Sequence, residues 1–421
     1  MVYSLRNRDC AMVWSSRGKV MFYGWRIVGG SFLSQAFVVG FFTYAVSLLT
    51  QPVRETFDVS VEMVMYSLTF GTFIGLFTMP LAGILLDRLP VRRLFAAGIV
   101  AFALGLWLLG QTTTILQYIV IFGVTMALVN ALAGAMISSA VVSRWFTENR
   151  GKALGVAATG TSVGGVLIPG LITFWLPDYG WRGSLENLAI ILLLLVLPVV
   201  LWTIRSWPSD VGIEQPLEGE GNRSGASPTR LGLGDILRNP NFWWLSTSLG
   251  LLFSTYTAIL SNMTPYATQL GQGEESASAL IMVVAVSGLL GKLMFGVAAD
   301  MLNHKLALWA AQLFLAAAYA VLALEPSFPL VVLACVSMGL AAGGMLPVWG
   351  ALTADIFGLQ SYGRAFGLMG PIITLFVMLG FPLAGRLYDV TGSFSLCLWI
   401  FSVLIAVAAT LLVPLRLRRE S

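Results

Sequence analysis

Apolar residues run through this chain in stretches of about twenty, separated by short polar turns, from near residue 27 to near residue 415. A helix needs roughly 20 residues to cross the hydrocarbon layer. The runs predict helices over 27–50, 60–86, 93–110, 115–143, 150–176, 185–204, 241–270, 277–300, 305–325, 328–354, 361–385 and 393–415. The expected fold is an all-α membrane protein with twelve transmembrane helices. Composition agrees, since 57% of the 421 residues are hydrophobic and only 10% are charged, far from the balance of a soluble domain.

Lysine and arginine orient these helices, because short loops rich in them stay on the cytoplasmic side. With the N-terminus inside, twenty of the 24 basic residues fall in cytoplasmic segments, among them Arg26, Arg88, Arg92, Arg93, Arg144, Arg150, Lys152, Arg205, Arg238, Lys305 and Arg364. Arg54, Arg182 and Arg386 fall outside, and Lys292 alone falls within a span. The expected topology is a multi-pass protein of the cell membrane with both termini cytoplasmic. The net charge of +4 reports that topology and gives no ground for a nucleic-acid partner. Cys10, Cys335 and Cys397 suggest neither a disulfide framework nor a metal site, and the lone His304 leaves no His-based cluster. No cofactor or metal is expected. The segment before Met21 lacks the apolar core of a signal peptide and reads as a cytoplasmic tail, with Met12 and Met21 as alternative starts.

Between the sixth and seventh helices the chain turns rich in Gly, Pro, Ser and charge, the composition of a linker. The expected organisation is a tail at 1–26, a six-helix half at 27–204, a cytoplasmic linker at 205–240, a second half at 241–415 and a tail at 416–421. An internal repeat supports the division. Gly75, Gly83 and Asp87 recur as Gly288, Gly296 and Asp300 at an offset of 213, and Met126, Gly151, Ala153 and Gly155 recur as Met338, Gly363, Ala365 and Gly367 at an offset of 212. Parallel six-helix repeats build one large class of secondary transporters, with the substrate held near the midplane between the halves.

The stretch Gly83-I-L-L-Asp87-Arg88-L-P-V-Arg92-Arg93 resembles the signature of the major facilitator superfamily, and Gly296-V-A-A-Asp300 resembles its weaker second copy. A carboxylate at a helix end can pair with nearby cations or a helix N-terminus in one conformation and release them in another. Asp87, Arg88, Arg92, Arg93, Arg144, Arg150 and Asp300 are therefore the candidate conformational latch, although topology alone also explains the arginines. The segment from Arg144-W-F to Gly164 is similar to the monocarboxylate transporters and the oxalate/formate antiporters. Its glycines at 155, 160 and 164 suit close helix packing.

Lys292 stands eight residues before Asp300, about 12 Å along a helix. That places it near the midplane, where a charge is costly unless paired or wet. Ala285, Gly288, Lys292, Gly296 and Ala299 form one helical stripe, a face of small residues suited to packed helices or a cavity. No Asp or Glu lies centrally in any predicted helix, so the missing counterion is either the substrate or, on the structural alternative, a set of backbone carbonyls and waters. The resemblance implies the first, because those families carry an arginine on the eighth helix, four residues before a glycine, that holds the substrate carboxylate. Here the position is a lysine, Gly288 replaces the acid or amide one turn earlier, and the additional basic residue that some relatives place on their first or eleventh helix is not seen. A carboxylate is implied as a class rather than any one acid.

Further candidate substrate contacts are Gln35 and Tyr44 on the first helix, Tyr118 and Asn130 on the fourth, Tyr256 and Asn262 on the seventh, and Trp349 on the tenth. Each also has a packing or interfacial reading. The function expected is secondary active transport of a small organic anion, most plainly a monocarboxylate, by a carrier acting as a monomer. A proton or a counter-anion would be the coupled species. The rival within transport is efflux of amphipathic drugs, and the rival of another class is a non-transporting membrane receptor, which counterflow in liposomes would separate from a carrier. No nucleophile-base pair, metal-ligand cluster or phosphate loop points to an enzyme.

The latch predicts that Asp87→Asn slows conformational exchange while substrate affinity stays within a few fold. Transport rates left unchanged by Asp87→Asn combined with Asp300→Asn would reduce these residues to topology or packing.

Overall fold

The computed structural model describes residues 23–146, 150–206, 232–301, 303–358 and 361–415. In a bilayer every backbone polar group must be satisfied within the protein, and the described residues are accordingly almost all helical, joined by short turns, with no strand among them. Helix α1 spans Gly24–Phe57, α2 Val61–Arg88, α3 Val91–Gly110 and α4 Ile115–Trp145. A continuous helical stretch Arg150–Ile191 is interrupted at Gly180 (φ 62°, ψ −178°), which separates α5 (150–179) from α6 (181–203). Helix α7 (240–269) is followed by α8 Glu274–Met301, α9 His304–Ala323, α10 Phe328–Phe357, α11 Tyr362–Thr391 and α12 Ser395–Thr410. This succession is consistent with twelve crossings.

The turn at Gly180 is a true reversal. Gly160 packs against Phe32 and Gly164 against Ala36, Trp181 Nε1 donates to Thr56 Oγ1 at 2.9 Å, and Thr203 then returns to Gly30. The chain therefore runs along α1 and back. Arg182 fixes the corner by donating to the Thr112 carbonyl at 2.8 Å with its guanidinium 4.4 Å from the Trp181 ring centre.

Several helices outrun their apolar stretches. Hydropathy marks the hydrocarbon layer, whereas helical hydrogen bonding continues beyond it, so α11 extends to Thr391 and at 30 residues is about 45 Å long. Caps set the ends: Ser60 accepts from Met63 N, Thr114 from Gln117 N and Asn303 from Lys305 N. The seventh helix begins at Pro240, and the short helix Leu233–Arg238 precedes it within the expected linker. Among the described residues four spans are irregular, α6 by a π-turn at Leu192–Val196. A π-turn at Phe41–Ala45 adds one residue to a turn of α1, extended backbone at Gly134 breaks α4, and α7 breaks at Asn262.

Helices before and after the linker form two bundles that meet mainly along two seams, α2 against α11 and α5 against α8, with a further contact between α1 and α7 where Ser47 Oγ accepts from Thr264 N at 2.8 Å. Residues such as Phe77, Phe174, Leu194, Leu293, Leu313 and Leu379 project outward as the apolar surface a bilayer requires. The face carrying Gly24, Trp145, Thr203 and Lys305 is here termed the terminal face, and the face carrying Phe57, Trp181, Glu325 and Asp389 the opposite face. On the latter, the Glu325 carboxylate accepts from Gln269, Ser393 and Ser395 at 2.6 to 2.9 Å. The hydrogen bonds from Ser393 and Ser395 hold its carboxyl below the usual carboxylate range.

Of the three glycines expected to admit a neighbouring helix, two do so. A Cβ on Gly164 would stand 1.9 Å from the Ala36 carbonyl oxygen and one on Gly160 2.3 Å from that of Phe32, whereas Gly155 has nothing within 4 Å. Gly164→Ala is therefore expected to cost about 1–3 kcal/mol by forcing α1 from α5, lowering the melting temperature of the purified protein, while Gly155→Ala leaves it unchanged. Equal melting curves for the two variants would mean that the α1–α5 contact carries no such constraint.

Candidate functional site

The α5–α8 seam holds the charge that the sequence singles out. Lys292 is half-buried on α8, and its ammonium donates across the seam to three oxygens of α5: Thr161 Oγ1 at 2.6 Å, Ser162 Oγ at 3.2 Å and the Ala158 carbonyl at 3.4 Å. All three are neutral. Small residues bring the helices this close. A Cβ on Gly343 of α10 would meet the backbone nitrogen of Lys292 at 2.5 Å, and one on Gly165 of α5 would meet Ala285 of α8 at 2.6 Å. Tyr44 sits in the same junction, its ring against Gly165 and its hydroxyl 3.9 Å from where Gly288 would carry a Cβ. Tyr256 sets its hydroxyl against that of Tyr44.

A cavity of about 620 Å³ lies on the other side, between α2 and α11 with α1, α4 and α7 behind. Its wall is mainly apolar, with Phe42, Met79, Met126, Met136 and Phe381 prominent, and among the described residues contains no ionisable one. Asn130 lines it, with Nδ2 donating to the Met126 carbonyl of its own helix at 2.9 Å. The π-turn in α1 contributes Phe42 and Thr43 to this cavity and Tyr44 to the opposite seam. Lys292 is not among the residues lining the cavity.

The remaining candidates are distributed differently. Tyr118 is buried in an aromatic cluster with Phe57, Phe122 and Trp181. Trp349 stacks on Phe366 at 3.9 Å and donates to the sulfur of Met369. Asn262 is buried at the break in α7, donating to the Ala258 carbonyl at 2.8 Å and to the sulfur of Met65. Gln35 is buried within α1. Of the proposed latch, Arg88, Arg92 and Arg93 are exposed and Arg144 Nη2 donates to the Leu86 carbonyl at 3.3 Å, close to the end of α2. The side chains of Asp87, Arg150 and Asp300 lie outside the described residues.

On the opposite face the α2–α11 seam is closed by a residue that the candidate set omits. Asp389 of α11 accepts from Val61 N at 3.1 Å and Glu62 N at 2.8 Å, so its carboxylate caps the N-terminus of a helix in the other bundle. Arg386 pairs with Glu62 at 3.4 Å, and a Cβ on Gly385 would meet the Glu62 Cα at 2.6 Å. The sequence carries a signal for this contact: Gly385-x-x-x-Asp389 repeats the spacing of Gly83 to Asp87 and of Gly296 to Asp300. Towards the terminal face the same seam is open, since Gly75, Gly367 and Gly370 have nothing within 4 Å of where a Cβ would stand.

Comparison with known proteins agrees with this architecture. The family model of the Major Facilitator Superfamily matches residues 31–325 and 258–421. Monocarboxylate transporter 13 of Rattus norvegicus is 25% identical over 377 residues, covering 89% of this chain and 84% of that protein. Agnestins efflux protein AgnL12 of Paecilomyces divaricatus is 26% identical over 381 residues, covering 89% and 83%. A bacterial homologue of the human lysosomal transporter Spinster, solved inward-facing and unoccupied, superposes with a TM-score of 0.69 at 16% identity, over 94% of this chain and 97% of that one.

Asp389→Ala removes a charged acceptor from two backbone donors, a loss of about 1–3 kcal/mol, and should shift the α2–α11 equilibrium towards opening on the opposite face by roughly fivefold or more. Cross-linking between cysteines at Met63 and Val390, both exposed, should slow accordingly. An unchanged rate would leave the cap without a gating role.

Proposed function

The chain belongs to the Major Facilitator Superfamily, and from that premise we propose that it is a secondary active transporter of a small organic anion, with Lys292 as the anchor for a carboxylate. The observation that carries this reading is the ammonium of Lys292 between the bundles, with only neutral oxygens as its partners among the described residues. Hydroxyls and a carbonyl solvate a cation without cancelling its charge, so an incoming carboxylate gains an attraction that water would screen. Relatives named monocarboxylate transporter support the class.

The positive-inside distribution makes the terminal face cytoplasmic. On that orientation the carrier is open inward, with its outer mouth held by Asp389 and its inner mouth leading to the cavity. Transport proceeds as the bundles rock, breaking the cap of α2 as the inner side closes. Proton symport and anion exchange both fit a lysine anchor, because a buried lysine can release its proton whereas an arginine holds it.

One observation favours a second reading. Among the described residues the cavity has no ionisable lining and is rich in methionine and phenylalanine, which suits the apolar body of an amphipathic solute, and an efflux protein is among the relatives. Thermal-shift measurements separate the two, since a ligand that binds the folded state raises its melting temperature. Acetate, hexanoate and phenylacetate test the anion, and hexanol and phenylacetamide test the neutral solute. Stabilisation by the neutral compounds alone would favour the second reading.

Lys292→Gln is expected to weaken binding of the stabilising carboxylate by about 2–5 kcal/mol, the range for truncating one partner of a buried charge pair, or at least roughly thirtyfold. Lys292→Arg should retain more affinity than Gln and lose proton coupling if that coupling runs through the lysine. A folded Lys292→Gln protein that binds and moves the same anions normally would make the lysine structural.

A further inference from the structure

Lys292 has no empty hand in this conformer, since three α5 oxygens occupy its ammonium. An ammonium has three protons to donate, so a carboxylate reaching it must displace at least one of them. The cradle and the ligand compete for one group, and the cradle lies on the opposite bundle from the lysine. Removing the ammonium from it therefore weakens the seam.

The internal repeat supplies an independent comparison. At the offset of 213 that relates α2 to α8, Lys292 corresponds to Met79; at 212, which relates α5 to α11, Ala158 and Ser162 correspond to Gly370 and Thr374. Met79, Gly370 and Thr374 all line the open cavity of the α2–α11 seam. Thr161 corresponds to Ile373, which is buried outside that lining, so two of the three cradle places have counterparts on an open cavity where the facing side chain is methionine, and all three are bridged where it is lysine.

We propose that Thr161, Ser162 and the Ala158 carbonyl form an ammonium cradle that holds Lys292 and closes the α5–α8 seam in the unloaded carrier, and that an arriving carboxylate draws the ammonium off it. Substrate binding thereby releases a bond between the bundles. Thr161 and Ser162 act through Lys292 and are positioning residues. The exchange rests on the anchor reading of Lys292, whereas the cradle itself does not.

The test uses full-length protein in liposomes, with spin labels at Lys152 and Leu306, both exposed and on different bundles, in a background lacking Cys10, Cys335 and Cys397. Thr161→Val combined with Ser162→Ala should reduce the short-distance population without ligand, and Thr161→Ser combined with Ser162→Thr, which keeps both oxygens, should restore it. The Val/Ala variant should also bind hexanoate and phenylacetate about threefold to tenfold more tightly, the scale of one or two lost competing hydrogen bonds. A distance distribution identical to wild type, or one equally altered in the oxygen-keeping variant, overturns the cradle. Reduced short-distance population with unchanged anion affinity overturns the exchange. Normal anion transport by Lys292→Gln overturns the anchor reading and leaves the seam measurement to decide the cradle separately.

Discussion

An ammonium ion between membrane helices must be wrapped in oxygen or meet an opposite charge, because hydrocarbon offers it neither. Lys292 meets this requirement by reaching from one bundle into the other, and the surrounding architecture follows from that reach. The lysine can touch α5 only if α8 approaches closely, which the small residues at 165 and 285 permit. It can bond there only because α5 presents two adjacent hydroxyls and a carbonyl on that side. Packing and charge solvation thus support one another across this seam.

The second seam is joined on a different principle. Among the described residues no charge lies in its apolar middle, where the cavity separates α2 from α11 and Thr69 Oγ1 donates to the Met378 carbonyl at 3.4 Å, and the charged contacts that bind it are at the rim: Asp389 on the first amides of α2 and Arg386 on Glu62. Solvent at such a rim weakens each ion pair individually, while the cap benefits from the helix end itself. One seam is thus tied near its centre and the other at its edge. That division leaves an apolar space open between the bundles while keeping them docked.

Much of this was legible before any coordinates. Twelve apolar runs and the internal repeat specify the helices and their two groups, because a bilayer allows little else. Lys292 was conspicuous as a charge within an apolar run. Its partners were not, since Thr161 and Ser162 look like any hydroxyls on a small-residue helix and only the crossing of α5 with α8 brings them together. Helix ends shifted outward because apolarity reports the thickness of hydrocarbon rather than the extent of hydrogen bonding, as α11 illustrates. Tyr118 and Trp349 are aromatic residues with polar tips, which sequence cannot divide between a binding wall and a stacked core, and the fold places both in aromatic stacks. Asp389 carried the same glycine-to-aspartate spacing as two noted positions, yet its partner is a backbone end that no residue pattern identifies.

That last partner has an evolutionary consequence. The donors to Asp389 are main-chain amides, and replacing Val61 or Glu62 by any residue other than proline leaves them in place. Variation in the first turn of α2 therefore preserves the cap, whereas Gly385 and Asp389 have no substitute nearby. Selection to keep this closure falls almost wholly on one side of the seam, so drift in related chains should accumulate on α2 while this stretch of α11 stays fixed.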